Sequence, residues 1–111
     1  MSANSPSFTF NGIIDLVLFG GALWRIFLPS HGISMKQLYV ILYIAESPVN
    51  VPRMTKAGFY SDANNTYTGL KILCSRGFLV KIGITYHLSG KGEAVCLQFL
   101  DFCRAHGVAG E

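Results

Sequence analysis

Apolar positions fall into helical patterns over most of the chain. The stretch from Ile13 to Leu28 is apolar on almost every face and predicts a buried helix that begins after Asn11. From Met35 to Glu46, apolar residues recur at three- and four-residue steps, which is typical of a helix with one face on a core. The first helix is predicted to run to about Leu28 and to be broken by the segment Pro29 to Gly32, and Ser47-Pro48 is predicted to end the second.

Two further helices are predicted close together, with a turn between them. Pro52 suits the first residue of a short helix that runs to Ala57, because proline is favoured at that position. Ser61 or Asp62 caps a longer helix, and Gly77 ends it. The residues of this longer helix that form one anchoring stripe are Thr66, Leu70, Leu73 and Gly77.

After Gly77 the pattern changes to that of β-strands. Residues 78–82 and 84–88 are β-branched and aromatic runs around Gly83, which predicts a hairpin. A turn over residues 89–92 then precedes a last helix from Glu93 to His106. Four helices, a hairpin and a helix predict a mainly α fold with a small β-hairpin wing, the winged helix-turn-helix.

Length and composition limit how such a fold is organised. The chain has 111 residues, half of them hydrophobic, which is enough for one core but not two. Its mean hydropathy of +0.39 indicates apolar surface that a monomer cannot bury, so we expect a homodimer. The predicted parts are a flexible leader (1–10), an apolar dimerisation helix (11–30), the winged helix-turn-helix (33–92) and a C-terminal helix that serves core and dimer (93–107).

Charge is concentrated in the middle of the sequence. Residues 51–91 carry six lysines and arginines against one acid, Asp62, so their net charge is +5. The rest of the chain carries three basic and five acidic residues, a net charge of −2. A basic segment within a near-neutral frame predicts a polyanionic partner, and in a helix-turn-helix that partner is double-stranded DNA.

The side of the fourth helix away from the anchoring stripe has chemistry suited to reading bases. Asparagine bonds adenine edges in a bidentate manner, threonine donates or accepts, and lysine reaches guanine or phosphate. The candidate base-reading residues are Asn64, Asn65, Tyr67, Thr68 and Lys71. The candidate phosphate contacts are Arg53, Lys56, Arg76, Lys81, Tyr86 and His87. The alternative is a solvated helix face that is rich in asparagine.

Two segments resemble the winged-helix repressors of the MarR type. Leu73-Cys74-Ser75-Arg76-Gly77-Phe78-Leu79 matches the end of the reading helix and the first wing strand, and Leu88-Ser89-Gly90-Lys91-Gly92 matches the return of the wing. The resemblance implies a transcriptional repressor that binds DNA. The tip Ile82-Gly83-Ile84 departs from that pattern, because it carries neither the Asp-x-Arg pair nor the minor-groove Arg of the family.

We therefore predict sequence-specific binding of double-stranded DNA by a dimeric regulator in the cytoplasm, associated with the nucleoid. The candidate interface residues are Ile14, Leu18, Leu23, Trp24, Phe27, Leu97 and Leu100. A dimer built from the terminal helices would place two reading helices about 34 Å apart, in successive major grooves. The alternative function is a winged helix that binds another protein and not specific DNA.

Other chemistry receives less support from the sequence. No catalytic or phosphate-binding motif is present, which argues against an enzyme, a cofactor or a metal site. Cys96, Cys103 and His106 lie at helical steps on the last helix, but buried cysteine in an apolar helix is a common alternative. A pocket for a small-molecule effector, lined by Trp24 and Phe19, is an alternative that the sequence leaves open.

The localisation rests on three observations. The three cysteines have no paired spacing, which is typical of a reducing compartment. Residues 1–6 carry no positive charge of the kind that begins a signal peptide. The apolar stretch from Ile13 to Leu28 contains Asp15 and Arg25 and is shorter than a membrane span, so no membrane association is expected.

Overall fold

The computed structural model of the protein describes residues 19–106. It contains five helices and a two-stranded antiparallel hairpin in the described part, which confirms the predicted fold class. Helix α1 covers residues 19–31 and includes a π-helical segment, Leu23–Phe27, followed by Leu28–His31. The other elements are α2 (Met35–Glu46), α3 (Val51–Lys56), α4 (Ala63–Ser75), β1 (Leu79–Ile82), β2 (Thr85–Leu88) and α5 (Gly90–Ala105).

The chain divides into two compact units, which we call the central unit (residues 34–96) and the terminal unit (described residues 19–33 and 97–106). The core of the central unit is formed by apolar side chains from every one of its helices and from both strands. They are Leu38, Val40, Ile41, Ile44, Val49, Met54, Leu70, Leu73, Phe78, Leu79, Tyr86 and Val95. The anchoring stripe predicted for the fourth helix is thereby confirmed for Leu70 and Leu73.

Helix starts in the central unit follow local side-chain signals. Ser34 forms a capping box with Gln37, since each side chain bonds the other residue's backbone N–H, at 3.1 and 3.0 Å. Asn50 caps α3 by accepting from the Arg53 N–H at 2.8 Å, so this helix begins one residue before the predicted Pro52. Of the two caps proposed for α4, the structure selects Asp62.

The hairpin is joined to the helical part by an isolated β-bridge, which lies beside β2 as a third strand would. Strands β1 and β2 pair in the register Leu79–Leu88 to Ile82–Thr85, and Gly83-Ile84 form the turn. Val49, just before α3, pairs with Tyr86 through two backbone hydrogen bonds of 3.2 and 2.7 Å. This pairing fixes the wing against the start of the helix-turn-helix.

Helix α5 begins three residues before the predicted Glu93, so the turn expected over residues 89–92 is wrong. Ser89 acts as its cap, because the Ser89 hydroxyl accepts from the Gly92 N–H at 3.1 Å. The same hydroxyl donates to the Gly77 carbonyl at the end of α4, where Gly77 has a φ of 87°. One serine therefore joins the end of α4 to the start of α5.

The terminal unit corrects the predicted end of the first helix. Pro29 does not break α1, which continues to His31. A π-helical turn precedes the proline, and the Leu28 N–H bonds the Leu23 carbonyl there. This wider turn makes room where a proline ring in an α-helix would meet a backbone carbonyl. Within residues 19–106, no helix is long and apolar enough to cross a bilayer.

Aromatic rings form the core of the terminal unit. The Phe27 ring lies 5.5 Å from that of Phe99 and 5.2 Å from that of Phe102, measured between centroids. Phe19 contacts Phe102 in turn, at 5.5 Å. The leader, the Asn11 cap, Ile14 and Leu18 lie outside the described residues.

Candidate DNA-binding surface

Helices α3 and α4 are held together by a buried pair of hydroxyl groups. The hydroxyl oxygens of Thr55 and Thr66 are 2.9 Å apart, and Thr66 is fully buried. Thr55 also donates to the Val51 carbonyl at 2.8 Å, while the Thr66 oxygen lies 2.9 Å from the Asp62 carbonyl. This network fixes the position of α4 on α3, because a buried polar group is costly without its partners.

We expect Thr66→Val to destabilise the protein by about 1 kcal/mol, because valine keeps the shape of threonine but removes the hydroxyl hydrogen bonds. Thr55 retains its bond to the Val51 carbonyl, so no buried donor is left without an acceptor. Urea unfolding measures the change, and Thr68→Val on the exposed side of α4 is the matched control. Equal stabilities of the two variants would contradict a role for the hydroxyl pair.

The outer face of α4 is exposed along the helix. We use this name for five residues: Asn64, Asn65, Tyr67, Thr68 and Lys71. All five side chains are exposed, on the side opposite the buried Thr66, Leu70 and Leu73. The helix itself contains no acidic residue, since the one acid at its start, Asp62, is the cap. The face therefore offers amide, hydroxyl, phenol and ammonium groups to a partner without a competing carboxylate of its own.

Asn65 is oriented by the residues that begin α4. Its side-chain amide donates to the Ser61 hydroxyl at 2.7 Å, and its backbone N–H donates to the Asp62 carboxylate at 2.8 Å. A primary amide has two N–H groups and one carbonyl, so one N–H and the carbonyl stay available for a base edge. The contact with Ser61 was not predicted from the sequence, and it reduces the rotamer freedom of the amide.

Tyr67 lies between two lysines from different elements, and we call Tyr67, Lys71 and Lys81 the lysine–tyrosine cluster. The ammonium groups of Lys71 on α4 and Lys81 on β1 are each 5.9 Å from the Tyr67 ring centroid. Lys81 also lies 5.6 Å from the centroid of Tyr86. Cation–π attraction at these distances holds both charges beside the outer face of α4.

A cleft of about 300 Å³ adjoins this cluster. The start of α3, the middle of α4 and the wing each contribute to its walls. The lining residues are Asn50, Val51, Pro52, Tyr67, Lys81, Ile84 and Tyr86. Lys81 supplies the positive charge in this cleft, so an anionic group such as a DNA phosphate fits its electrostatics.

The candidate phosphate contacts fall into an exposed group and a group that is wholly or partly buried. Arg53 and Lys56 are exposed in the last turn of α3, and Arg76 is exposed at the end of α4 with its guanidinium 5.6 Å from the Phe78 ring centroid. Tyr86 is only 2% exposed, so its assignment as a phosphate contact is wrong. His87 is partly buried, and its Nε2 lies 2.9 Å from the Thr85 hydroxyl.

Lys91 has a structural role that the sequence reasoning missed. Its ammonium donates to the Arg76 carbonyl at 2.9 Å and lies 4.4 Å from the centroid of the buried Phe78 ring. A cation at the C-terminal end of a helix is favoured by the helix dipole. One of the six positive charges counted in residues 51–91 is therefore engaged in ending α4.

Some of the candidate interface residues are exposed in the structure and others are buried. Trp24 is 61% exposed and Leu97 65% exposed, and Leu100 is exposed as well. Ile26, which was not predicted as an interface residue, is exposed to a similar extent as Trp24. Leu23 and Phe27 are buried within the protomer, which argues against the assignment of both as interface residues. Their side chains contribute to the core of the terminal unit.

The three thiols are less acidic than usual. Burial is the main cause that raises the pKa of Cys74, Cys96 and Cys103, and Glu93 raises that of Cys96 further. Less thiolate at neutral pH makes a thiol a poorer nucleophile and metal ligand. Within residues 19–106, no three histidine, cysteine or acidic side chains converge as metal ligands would.

The fold is similar to that of a solved repressor. The crystal structure of the multiple antibiotic-resistance repressor (MarR) from Listeria monocytogenes matches with a TM-score of 0.63 and 24% sequence identity, over 82% of this chain and 73% of the other. The likeness establishes the winged helix-turn-helix fold and confirms the predicted resemblance at that level. Neither the family models nor the curated proteins compared with the sequence give a match.

Proposed function

We propose that this protein is a non-enzymatic transcriptional regulator, a repressor that binds double-stranded DNA in the cytoplasm as a homodimer. The observation that carries the proposal is the exposed outer face of α4, with its two asparagines and Lys71 and no carboxylate within the helix. The solved structure with a similar fold is named as a repressor, which supports the same function.

Base reading and phosphate binding are assigned to different residues of this surface. Asn64, Asn65 and Thr68 are proposed to read base edges, because their amides and hydroxyl can pair with the major-groove pattern. Tyr67 joins them on the outer face, and Lys71 is the exception that serves both roles, because lysine reaches guanine or phosphate. The exposed cations proposed to bind phosphates are Arg53, Lys56, Arg76 and Lys81. His87 is partly buried and lies on the other side of the hairpin from Lys81, so it is proposed as a separate phosphate contact.

The homodimer is proposed from the terminal unit. Trp24, Ile26, Leu97 and Leu100 are large apolar side chains that this unit leaves exposed. A second copy of the chain would remove them from water and double the number of DNA contacts. Two helix-turn-helix units in one dimer read two half-sites, so we expect a near-palindromic operator.

Titration of a labelled duplex tests DNA binding directly. The upstream DNA of the protein's own gene and a shuffled duplex of equal length are compared by fluorescence anisotropy between about 50 and 200 mM salt. We expect binding to both at low salt, a steep loss of affinity with salt, and a preference for the specific duplex of about 10³-fold or more. Absence of binding to either duplex at 50 mM salt would refute the proposal.

Lys71→Ala and Asn65→Ala should weaken DNA binding in different ways. Loss of a phosphate contact at Lys71 weakens binding to every duplex and reduces the salt slope by about one unit. Loss of a base contact at Asn65 costs about 1–3 kcal/mol on the specific duplex and relaxes the preference at one base pair.

Arg104→Ala is the control for these two variants, because it removes a positive charge from the terminal unit and should leave the salt slope unchanged. If Asn65→Ala loses affinity equally on the specific and the shuffled duplex, the assignment of Asn65 to base reading is wrong.

The second candidate function is a winged helix that binds a protein, and the surface of the wing favours it. Val80 and Ile82 are exposed on one side of β1, and Ile84 in the turn is 74% exposed. Exposed apolar groups of this kind are typical of protein contacts. The tip Ile82-Gly83-Ile84 also carries no cation that would contact phosphates in a DNA groove. Asn65→Ala and Lys71→Ala separate the two functions. A loss of DNA affinity with an intact fold supports DNA binding, whereas unchanged behaviour toward DNA with loss of a protein partner supports the second function.

A further inference from the structure

The central unit contains a second cleft, of about 400 Å³, away from the outer face of α4. One side of α2 and the turn between α3 and α4 form its walls. The lining residues are Tyr39, Leu42, Tyr43, Glu46 and Phe59. Three of the five are aromatic and one is acidic, so we call it the aromatic–acidic cleft.

The aromatic rings of this cleft meet at an angle. The Tyr43 and Phe59 centroids are 5.3 Å apart, and the ring planes are inclined at 68°. Tyr39 stands one helical turn before Tyr43 on α2, and its side chain is exposed. This is an edge-to-face pair, so the ring faces that it leaves open, together with the exposed ring of Tyr39, line the cleft. Ring faces carry a partial negative charge and attract a cation that also has an apolar surface.

Glu46 adds a full negative charge at the last turn of α2. Its side chain is exposed, and it has no ion-pair partner among residues 19–106, where the structure contains the pair Asp101–Arg104. Lys36, on the first turn of α2, lies over the Tyr60 ring at 4.5 Å. The charge that the cleft itself presents is therefore negative, and a cation is its complement.

We propose that the aromatic–acidic cleft binds a small organic ammonium ion, such as one that carries a trimethylammonium group. The methyl groups would contact the faces of Tyr39, Tyr43 and Phe59, as quaternary ammonium ions do in aromatic cages. The Glu46 carboxylate would compensate the charge without a hydrogen bond, which a quaternary ammonium ion cannot donate.

The cleft is connected to α4 through the turn that contains Phe59. The next residue, Tyr60, is partly buried, and its ring packs so closely on Gly69 of α4 that a Cβ there would lie 2.5 Å from it. A ligand that moves Phe59 would thus move a ring in contact with α4. This effect on α4 would change DNA affinity and rests on the proposed function, whereas ammonium binding does not.

A pair of probes that differ in charge tests the binding. Choline and its neutral isostere 3,3-dimethyl-1-butanol are titrated separately into the ¹⁵N-labelled protein, without DNA, and amide chemical shifts are followed by NMR. We expect saturable shifts around Tyr43 and Phe59 with choline. The affinity for the neutral alcohol should be weaker by a factor of about five or more. Equal affinity for the two probes, or shifts confined to other residues, would overturn the proposal.

Two variants of the cleft and two matched controls give the residue assignments. Glu46→Gln and Phe59→Leu should each weaken choline binding about fivefold, while the affinity for the neutral alcohol changes less in Glu46→Gln. Glu93→Gln makes the same change, and Tyr67→Leu likewise replaces an aromatic ring by leucine, at exposed positions elsewhere in the central unit. Both should bind choline as the unmodified protein does. An unchanged affinity in Glu46→Gln would refute the role of the charge.

Two further measurements distinguish the source of the ammonium group and its effect. Sedimentation with phosphatidylcholine vesicles in the absence of free-choline binding would show a lipid headgroup site and overturn the proposal of a small soluble ligand. Repeating the DNA titration with saturating choline tests the link to α4. An unchanged DNA affinity would refute that link and would leave both the ammonium binding and the DNA binding intact.

Discussion

Gly92→Ala is expected to destabilise the protein by about 3 kcal/mol, although alanine normally stabilises a helix relative to glycine by up to about 1 kcal/mol. A Cβ at position 92 would lie 2.3 Å from the carbonyl oxygen of Phe78 and 3.3 Å from the Leu88 side chain. Backbone atoms cannot rotate away as a flexible side chain can. The start of α5 would therefore have to move away from the wing.

Movement of α5 would break a set of connected hydrogen bonds. The Phe78 carbonyl accepts from the Ser89 N–H at 3.1 Å, and the Ser89 hydroxyl bonds the Gly92 N–H and the Gly77 carbonyl. Each of these bonds joins the end of α4 or the wing to the start of α5. A single methyl group at position 92 thus disturbs the junction of three elements.

Gly90→Ala is the matched control, because it lies in the same first turn and a Cβ there has no neighbour within 4 Å. It should leave stability unchanged or raise it slightly. Thermal unfolding at one protein concentration compares the two variants, and a loss of 3 kcal/mol corresponds to a fall in Tm of about 10–20 °C. If Gly92→Ala is as stable as Gly90→Ala, the close approach to Phe78 does not exist in solution.

The same junction shows where sequence reasoning stops. The cap of α4 was predicted as Ser61 or Asp62 because its signal lies within four residues, and the structure selects Asp62. Ser89 carries the same signal, but glycines at 90 and 92 made the segment look like a turn. Gly92 is required by the carbonyl of Phe78, a contact between residues that are far apart in sequence.

The wing shows a second limit. Lys81 and Tyr86 are directly paired and share one side of the hairpin, while His87 is paired with Val80 on the other. Tyr86 and His87 therefore cannot both face the same partner, and the pairing with Val49 buries Tyr86. The alternation of side chains along each strand could be predicted from the sequence. The side of the hairpin that packs on the core could not, because both sides carry apolar residues.

A similar ambiguity affects the first helix. A helix that is apolar on every side does not reveal which residues pack within the protomer and which contact a partner. The structure assigns Leu23 and Phe27 to the core and leaves Trp24 and Ile26 exposed. An interface variant must therefore be chosen from the exposed set, since a glutamate at position 23 would unfold the terminal unit before it tested association.

Leu97→Glu is expected to convert the proposed homodimer to a monomer, with a dissociation constant raised about 100-fold or more, because two glutamates per dimer would be removed from water without a partner. Leu97 is 65% exposed in the protomer, so the substitution leaves the fold of the terminal unit unchanged. Sedimentation velocity at micromolar concentration measures the change, and circular dichroism checks the fold.

Gln98→Glu is the control for Leu97→Glu, because it places the same charge on the adjacent exposed position of α5. It should sediment as the unmodified protein does. A dimer that persists in Leu97→Glu would exclude this face as the interface, and a monomeric unmodified protein would exclude the homodimer. If Leu97→Glu is a folded monomer, its affinity for a palindromic duplex should fall while its affinity for a single half-site is kept, since α4 is untouched by the change.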